Sequence, residues 1–335
     1  MSTVLITILI FVLMIIMHEC GHFISAKLLG VRVDEFSIGF GPAIFKKKKG
    51  DTLYAVRCVP FGGYVSMGED DKQDDDPRSF NNRPIWARII VIVAGGLVNI
   101  ITGLIVFILI SANVSSYVGT TIESVSPDQP AANYLQAGDE ILYIDGHRVH
   151  LIDDIVFGLS YHKGDDLAIT VKRDGQQVEL SIPHQAGSQL GIKTTEMPMN
   201  FGQALRLGFY KMLFVIKLVF YSIIMLFTGA MAITEMSGPV GIGSVVGEVS
   251  SAGFLPIAEI FGLISVNLGM FNLLPFPALD GGRLVFLLYE LVFRRKIPPE
   301  KEGWVHVAGF VLLFGLMIFV TFNDIIKLVS PMFGA

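Results

Sequence analysis

Residues 86–110, WARIIVIVAGGLVNIITGLIVFILI, carry a single charged side chain, Arg88. A run of this length matches the ~20 residues needed to cross the ~30 Å hydrocarbon layer of a bilayer. Lipid offers the backbone no hydrogen-bond partners, so the run predicts a membrane-spanning helix over 86–112, with Trp86 and Arg88 at its interface. A second run, TVLITILIFVLMIIM at 3–17, predicts another span within 1–30. It lacks a basic leader and a small-x-small cleavage site, so it reads as a retained anchor. With 52% hydrophobic and 16% charged residues, the chain is expected to be a polytopic α-helical membrane protein. The basic residues are grouped by loop rather than gathered on one surface, so no nucleic-acid partner is expected. The two cysteines, Cys20 and Cys58, build no disulfide framework.

Between the two spans, 31–85 reads as a β-rich loop. VDEFSIGFG, AIFKKKK, TLYAVRCVP and GGYVSM alternate or carry β-branched and aromatic residues, with Gly or Pro at the breaks. The acidic stretch GEDDKQDDDP at 68–77 reads as a solvated loop. Residues 114–190 form a small soluble module whose AGDEILYIDG resembles the PDZ domains of bacterial proteases, with a hairpin expected across RDGQ. After it, 200–250 reads as a surface or re-entrant amphipathic segment because Lys211 and Lys217 interrupt its apolar run. A third transmembrane segment is expected within 254–293, broken by Pro275 and Pro277, and a fourth over 304–327. Eleven Lys and Arg fall in 27–88 against five in 114–200, which places the first loop in the cytoplasm and the module outside.

Chemistry concentrates at the end of the first span, in HECGH at 18–22. The H-E-x-x-H spacing sets His18 and His22 on one helix face, close enough to share an ion, with Glu19 at its border. In zinc hydrolases of this type the glutamate takes a proton from the attacking water, whose pKa the ion lowers to ~7. Cys20 points about 200° round the helix from His18, away from that face. Ionisable groups at a membrane edge mark function. A catalytic zinc takes three protein ligands, and the candidates for the third are Asp280, Glu290, His306, Glu259, Glu235 and Asp324. Local chemistry favours Asp280, because prolines and glycines around it make the irregular backbone tolerated at membrane depth only beside a cavity. His306 is the rival ligand, although a histidine opening a span more often serves at an interface.

The pairing of HECGH with NLLPFPALDGG at 272–282 resembles the site-2 protease family of intramembrane zinc metalloproteases, in its bacterial branch with one PDZ domain. FGPAIF, VPFGGYV and SGPVGI extend the resemblance over nearly the whole chain, while AGGLVN at 94–99 places Gly96 where many relatives carry proline. The resemblance implies Zn2+ held by His18, His22 and Asp280, Glu19 as catalytic base, and Asn272 as a substrate-positioning residue. It implies cleavage of single-span membrane proteins, such as anti-sigma factors or signal-peptide remnants, within the lipid bilayer of a bacterial cell membrane.

Topology ties these expectations together. If His18 and His22 lie at the cytoplasmic end of the first span, Asp280 must lie there too, and an odd number of crossings must separate it from the external module. Four transmembrane helices meet that condition; a further crossing within 200–250 would leave Asp280 roughly 30 Å away. The β-rich loop is expected to hold substrate extended, and the PDZ-like module to meet a peptide or the substrate's ectodomain. The alternative function is a membrane-anchored PDZ adaptor with a vestigial metal site.

Overall fold

The computed structural model describes residues 3–68, 76–184 and 189–330. It divides into two compact units, one formed by the chain up to Val106 and from Val215 onward, the other by Phe107–Phe214. Most of the acidic stretch 68–77 lies outside the described residues.

In the first unit the apolar N-terminal run is a helix, α1 (Thr3–Leu28), that carries HECGH in its second half. Its stop is local. Gly30 takes a left-handed φ of 69°, Val31 N–H donates to the Ala26 carbonyl and Gly30 N–H to that of Lys27, which closes the helix in a Schellman motif. The expected strand-rich loop is a long antiparallel pair, β1 (Glu35–Lys49) and β2 (Thr52–Ser66). Its register doubles back: Glu35–Ile38 pairs with Leu53–Val56 on one side and with Gly63–Ser66 on the other. Gly63–Ser66 therefore forms an edge, with no second strand partner among the described residues.

The second apolar run is α2 (Ile85–Ala112). Arg88 is buried rather than interfacial, and it pairs with Glu290 at 2.6 Å. α2 meets α6 (Phe254–Leu273) through small residues. A Cβ on Gly269 would stand 2.5 Å from the Gly96 carbonyl oxygen, and one on Gly103 2.9 Å from that of Gly262. This is backbone-to-backbone packing of the kind that joins helices in lipid, and it gives Gly96 of AGGLVN its role. After α6 the prolines turn the chain, and α7 (Asp280–Phe293) begins at Asp280. The third apolar segment is thus two helices. The last helix, α8 (Pro299–Val329), begins earlier than the apolar pattern alone places it.

Among the described residues, α1, α2, α4 (Phe201–Thr228), α6 and α8 are each long and apolar enough to cross a membrane. That is five where the sequence reading counts four, because 201–228 folds as one uninterrupted helix. Beyond it comes α5 (Pro239–Ser250). The SGPVGI stretch starts α5, and Gly238 and Gly241 donate their N–H groups to the buried Asp324 carboxylate at 2.9 and 2.8 Å. A carboxylate at a helix N-terminus satisfies unpaired donors and opposes the helix dipole.

In the second unit, β3 (Ser116–Val125), β4 (Glu140–Ile144), β5 (His147–Arg148), β6 (Asp166–Arg173), β7 (Gln176–Pro183) and β8 (Ile192–Pro198) form an antiparallel sheet of order β7-β6-β4-β3-β8, with β5 paired to β4. Alternate residues of β6, Leu167, Ile169 and Val171, join Ile122, Ile141 and Ile182 in the core. α3 (Ile152–Tyr161) begins after β5. The RDGQ hairpin forms as expected, with Asp174 and Gly175 both at positive φ. Asp139 is fully buried. Burial opposes its ionisation, yet the Arg173 guanidinium at 2.7 Å holds its carboxyl below the usual range, so this pair strengthens the sheet at neutral pH.

Candidate metal centre

The i, i+4 spacing on α1 brings His18 Nε2 and His22 Nε2 to 3.2 Å from each other. His22 donates from Nδ1 to the Val91 carbonyl of α2 at 2.8 Å. In the neutral ring that bond keeps the proton on Nδ1 and leaves a lone pair on Nε2, the arrangement found in metal-ligating histidines. Asp280, the first residue of α7, brings Oδ2 to 3.2 Å from His18 Nε2 and 3.1 Å from His22 Nε2. Three such atoms at this spacing need a proton or a metal cation between them. Donors held tetrahedrally at about 2.0–2.1 Å from a zinc ion stand about 3.3 Å apart, so the observed set fits one ion. Among the described residues, His18, His22 and Asp280 are the one group of His, Cys, Asp and Glu placed to hold a metal.

The close approach of three elements needs glycine. A Cβ on Gly21 would stand 2.5 Å from the Ala94 carbonyl oxygen, and one on Gly95 2.3 Å from His22 Nε2. A Cβ on Gly281 would fall 1.9 Å from the Leu274 carbonyl oxygen, so the chain beside Asp280 also permits no side chain.

A cavity of about 320 Å³ opens on the centre, lined by His18, Glu19, His22, Asp280 and Arg283 together with the edge stretch from Gly63 to Met67. Glu19 shares this cavity without belonging to the three-atom cluster. Asn272 and Cys20 are not among its lining residues. Glu290 and Asp324 are engaged with Arg88 and α5, Glu235 and Glu259 stand outside the cluster, and His306 accepts a hydrogen bond from Ala278. Sequence reasoning missed Arg283, Gly95 and the cavity position of the β2 edge. Arg283 was open to discovery, since i, i+3 on a helix sets it on the face of Asp280.

The model of Peptidase family M50 matches residues 6–316. The chain belongs to family M50, the site-2 proteases. Relatives match it over nearly their whole length. One from Clostridium acetobutylicum is 35% identical over 96% of this chain and 97% of its own, and one from Clostridium perfringens is 37% identical over 96% and 98%. Both carry the provisional name of zinc metalloprotease. The zinc metalloprotease RasP of Geobacillus kaustophilus is 28% identical, covering 96% of this chain and 97% of its own. Among solved structures, the PDZ domain of an SdrC-like protein from Listeria innocua pairs with 24% of the chain at 28% identity, with a TM-score of 0.21.

Proposed function

We propose that this M50 peptidase is an intramembrane zinc metalloprotease that hydrolyses peptide bonds in or near the transmembrane segments of single-span proteins. One observation carries the reading: three donor atoms converge at 3.1–3.2 Å on a cavity that Glu19 also lines. His18, His22 and Asp280 would hold zinc, which supplies Lewis acidity that polarises the scissile carbonyl and lowers the pKa of the attacking water. Glu19 accepts the proton of that water and delivers it to the leaving amine. The hydrogen bond from His22 to Val91 fixes the imidazole while this happens. Zinc content together with cleavage of a single-span reporter tests the reading. Asp280→Ala is expected to lose bound zinc and product formation, and stoichiometric zinc with normal cleavage in that variant sinks the assignment.

Substrate must be unwound, because a helical segment keeps its carbonyls in internal hydrogen bonds. The edge at Gly63–Ser66, without a second strand partner among the described residues, borders the cavity and offers main-chain partners for an extended segment. Neighbouring strand residues point their N–H groups to opposite sides, so prolines placed singly at Tyr64 and Val65 cover both. At least one is expected to lower reporter cleavage by about tenfold with zinc retained, consistent with loss of a main-chain hydrogen bond of about 1–1.5 kcal/mol. Unchanged cleavage in both variants excludes strand addition.

The reading includes four crossings, with α4 lying along the membrane rather than across it. The Thr234 carbonyl accepts hydrogen bonds from Asn323 and Lys327 at the end of α8. Five residues, 229–233, separate Thr228, the last of α4, from Thr234, and the connection reaches at most about 20 Å, short of the ~30 Å needed to return across a bilayer. α5 then passes from Asp324 of α8 toward Thr3 at the start of α1. The end of α4 thus lies on the side opposite HECGH, the same side toward which α2 runs as it passes from His22 to Gly262 of α6. This keeps the PDZ-like module extracytoplasmic, where it can meet a substrate's external part, and the zinc site near the cytoplasm.

A further inference from the structure

The corner that delivers Asp280 to the two histidines is short of hydrogen-bond donors and conformationally strained. Pro275 and Pro277 have no N–H, Phe276 N–H closes on the Leu274 carbonyl and Leu279 N–H on that of Phe276. Ala278 is left to look outside the turn for a partner, and its φ of 75° is one that residues with a Cβ rarely adopt. Its N–H donates to His306 Nδ1 of α8 at 2.9 Å. The rest of the contact is built around this bond. Phe286 of α7 meets the His306 ring edge-on, with centroids 5.6 Å apart. One turn along α8, Gly309 lets the helix come so close that a Cβ there would stand 2.4 Å from Pro277 Cβ.

A ring nitrogen that accepts an N–H carries no proton, so the neutral His306 has its hydrogen on Nε2. That atom faces Glu302 Oε1 at 3.8 Å, one turn back on the same helix and beyond direct hydrogen-bond range. The Nδ1 lone pair is committed to the backbone, so the side chain that rivals Asp280 as a ligand in the sequence serves the corner before Asp280 instead.

We propose that His306 is a positioning residue for the metal centre: by accepting the Ala278 N–H it holds the Pro277–Ala278 corner in its left-handed conformation and so sets the Asp280 carboxylate against His18 and His22. The inference rests on Asp280 being a zinc ligand, as proposed above. Its effect is on how firmly the metal is held, since a partner that orients a ligand contributes to metal affinity without touching the ion.

Leucine and asparagine at 306 separate a hydrogen-bonding role from mere filling of space, because the two side chains share the same branched framework of four heavy atoms, leucine fills more of the histidine's space, and only asparagine has an acceptor near the Nδ1 position. In the full-length, zinc-loaded protein, His306→Leu is expected to release zinc to a chelator about 10–100-fold faster than wild type, with cleavage reduced by a similar factor. His306→Asn is expected to stay within a few-fold of wild type in both readouts. Wild-type zinc retention and cleavage in His306→Leu overturns the proposal, and so does an asparagine variant as impaired as the leucine one. Asp280→Ala, measured alongside, isolates the underlying reading. If it loses zinc while His306→Leu does not, only the positioning role falls, whereas if it keeps zinc the ligand assignment itself falls.

Discussion

Gly95→Ala is expected to abolish zinc binding and proteolysis, although alanine suits a helix better than glycine by about 1 kcal/mol. The added Cβ would stand 2.3 Å from His22 Nε2, 2.6 Å from His22 Cε1 and 2.8 Å from His18 Cε1. Relief requires a movement of about 1 Å, since carbon seldom approaches a non-bonded heavy atom closer than about 3.5 Å. His22 is not free to give it. His22 is tied by Nδ1 to Val91, one turn before Gly95 on the same helix, so pushing α2 away breaks the bond that orients the ligand. A ligand set displaced by that distance no longer shares one ion, and misplacement of about 1 Å costs on the order of 100-fold in rate even without metal loss. Metal analysis and reporter cleavage of the purified variant check the outcome. Gly315→Ala on α8, where an added Cβ meets nothing within 4 Å, serves as the comparison and is expected to behave as wild type. Full zinc occupancy in Gly95→Ala would mean that α2 does not pack at backbone distance against the histidine face.

The histidines were legible because their relation is local: in a helix, spacing of four residues is a direction, and the apolar run left no fold but a helix. Asp280 was legible for a different reason, since two prolines and two glycines around one carboxylate have few uses at membrane depth other than shaping a site. Gly95 was silent, because its importance lies in a distance between two helices that no single segment encodes. Arg88 misled in the same way. Beside Trp86 it looks interfacial, yet its partner Glu290 lies 202 residues further along the chain and draws it into the interior. Lys211 counted as a mark of a helix lying on the surface, and Asp153 on α3 of the second unit pairs with it at 2.9 Å, so part of its charge is answered by protein. The apolar pattern of 201–228 then completes an uninterrupted helix, and whether such a helix crosses the bilayer is decided by where its ends are tethered, which local hydropathy does not contain.

Glu19→Gln is expected to separate zinc binding from turnover, with reporter cleavage falling by about 10²–10⁴-fold, the range supplied by a positioned general base. Glutamine keeps the size of the side chain and one acceptor oxygen but accepts no proton from water. Glu19 follows His18 by one residue, about 100° round the helix, which sets it beside the ligand face rather than on it. Accordingly it lines the cavity while the group placed to hold a metal consists of His18, His22 and Asp280. The variant is therefore expected to carry the zinc of the wild type, whereas Asp280→Ala loses metal and activity together. The contrast also decides between an enzyme and an adaptor: a membrane adaptor with a vestigial metal site would bind its partner and leave it intact with either residue at position 19, so a wild-type protein that cuts and a Glu19→Gln protein that binds zinc and substrate but releases no product is the result only catalysis explains. Loss of zinc in Glu19→Gln would instead draw Glu19 into the ligand set and leave the role of proton acceptor without an occupant.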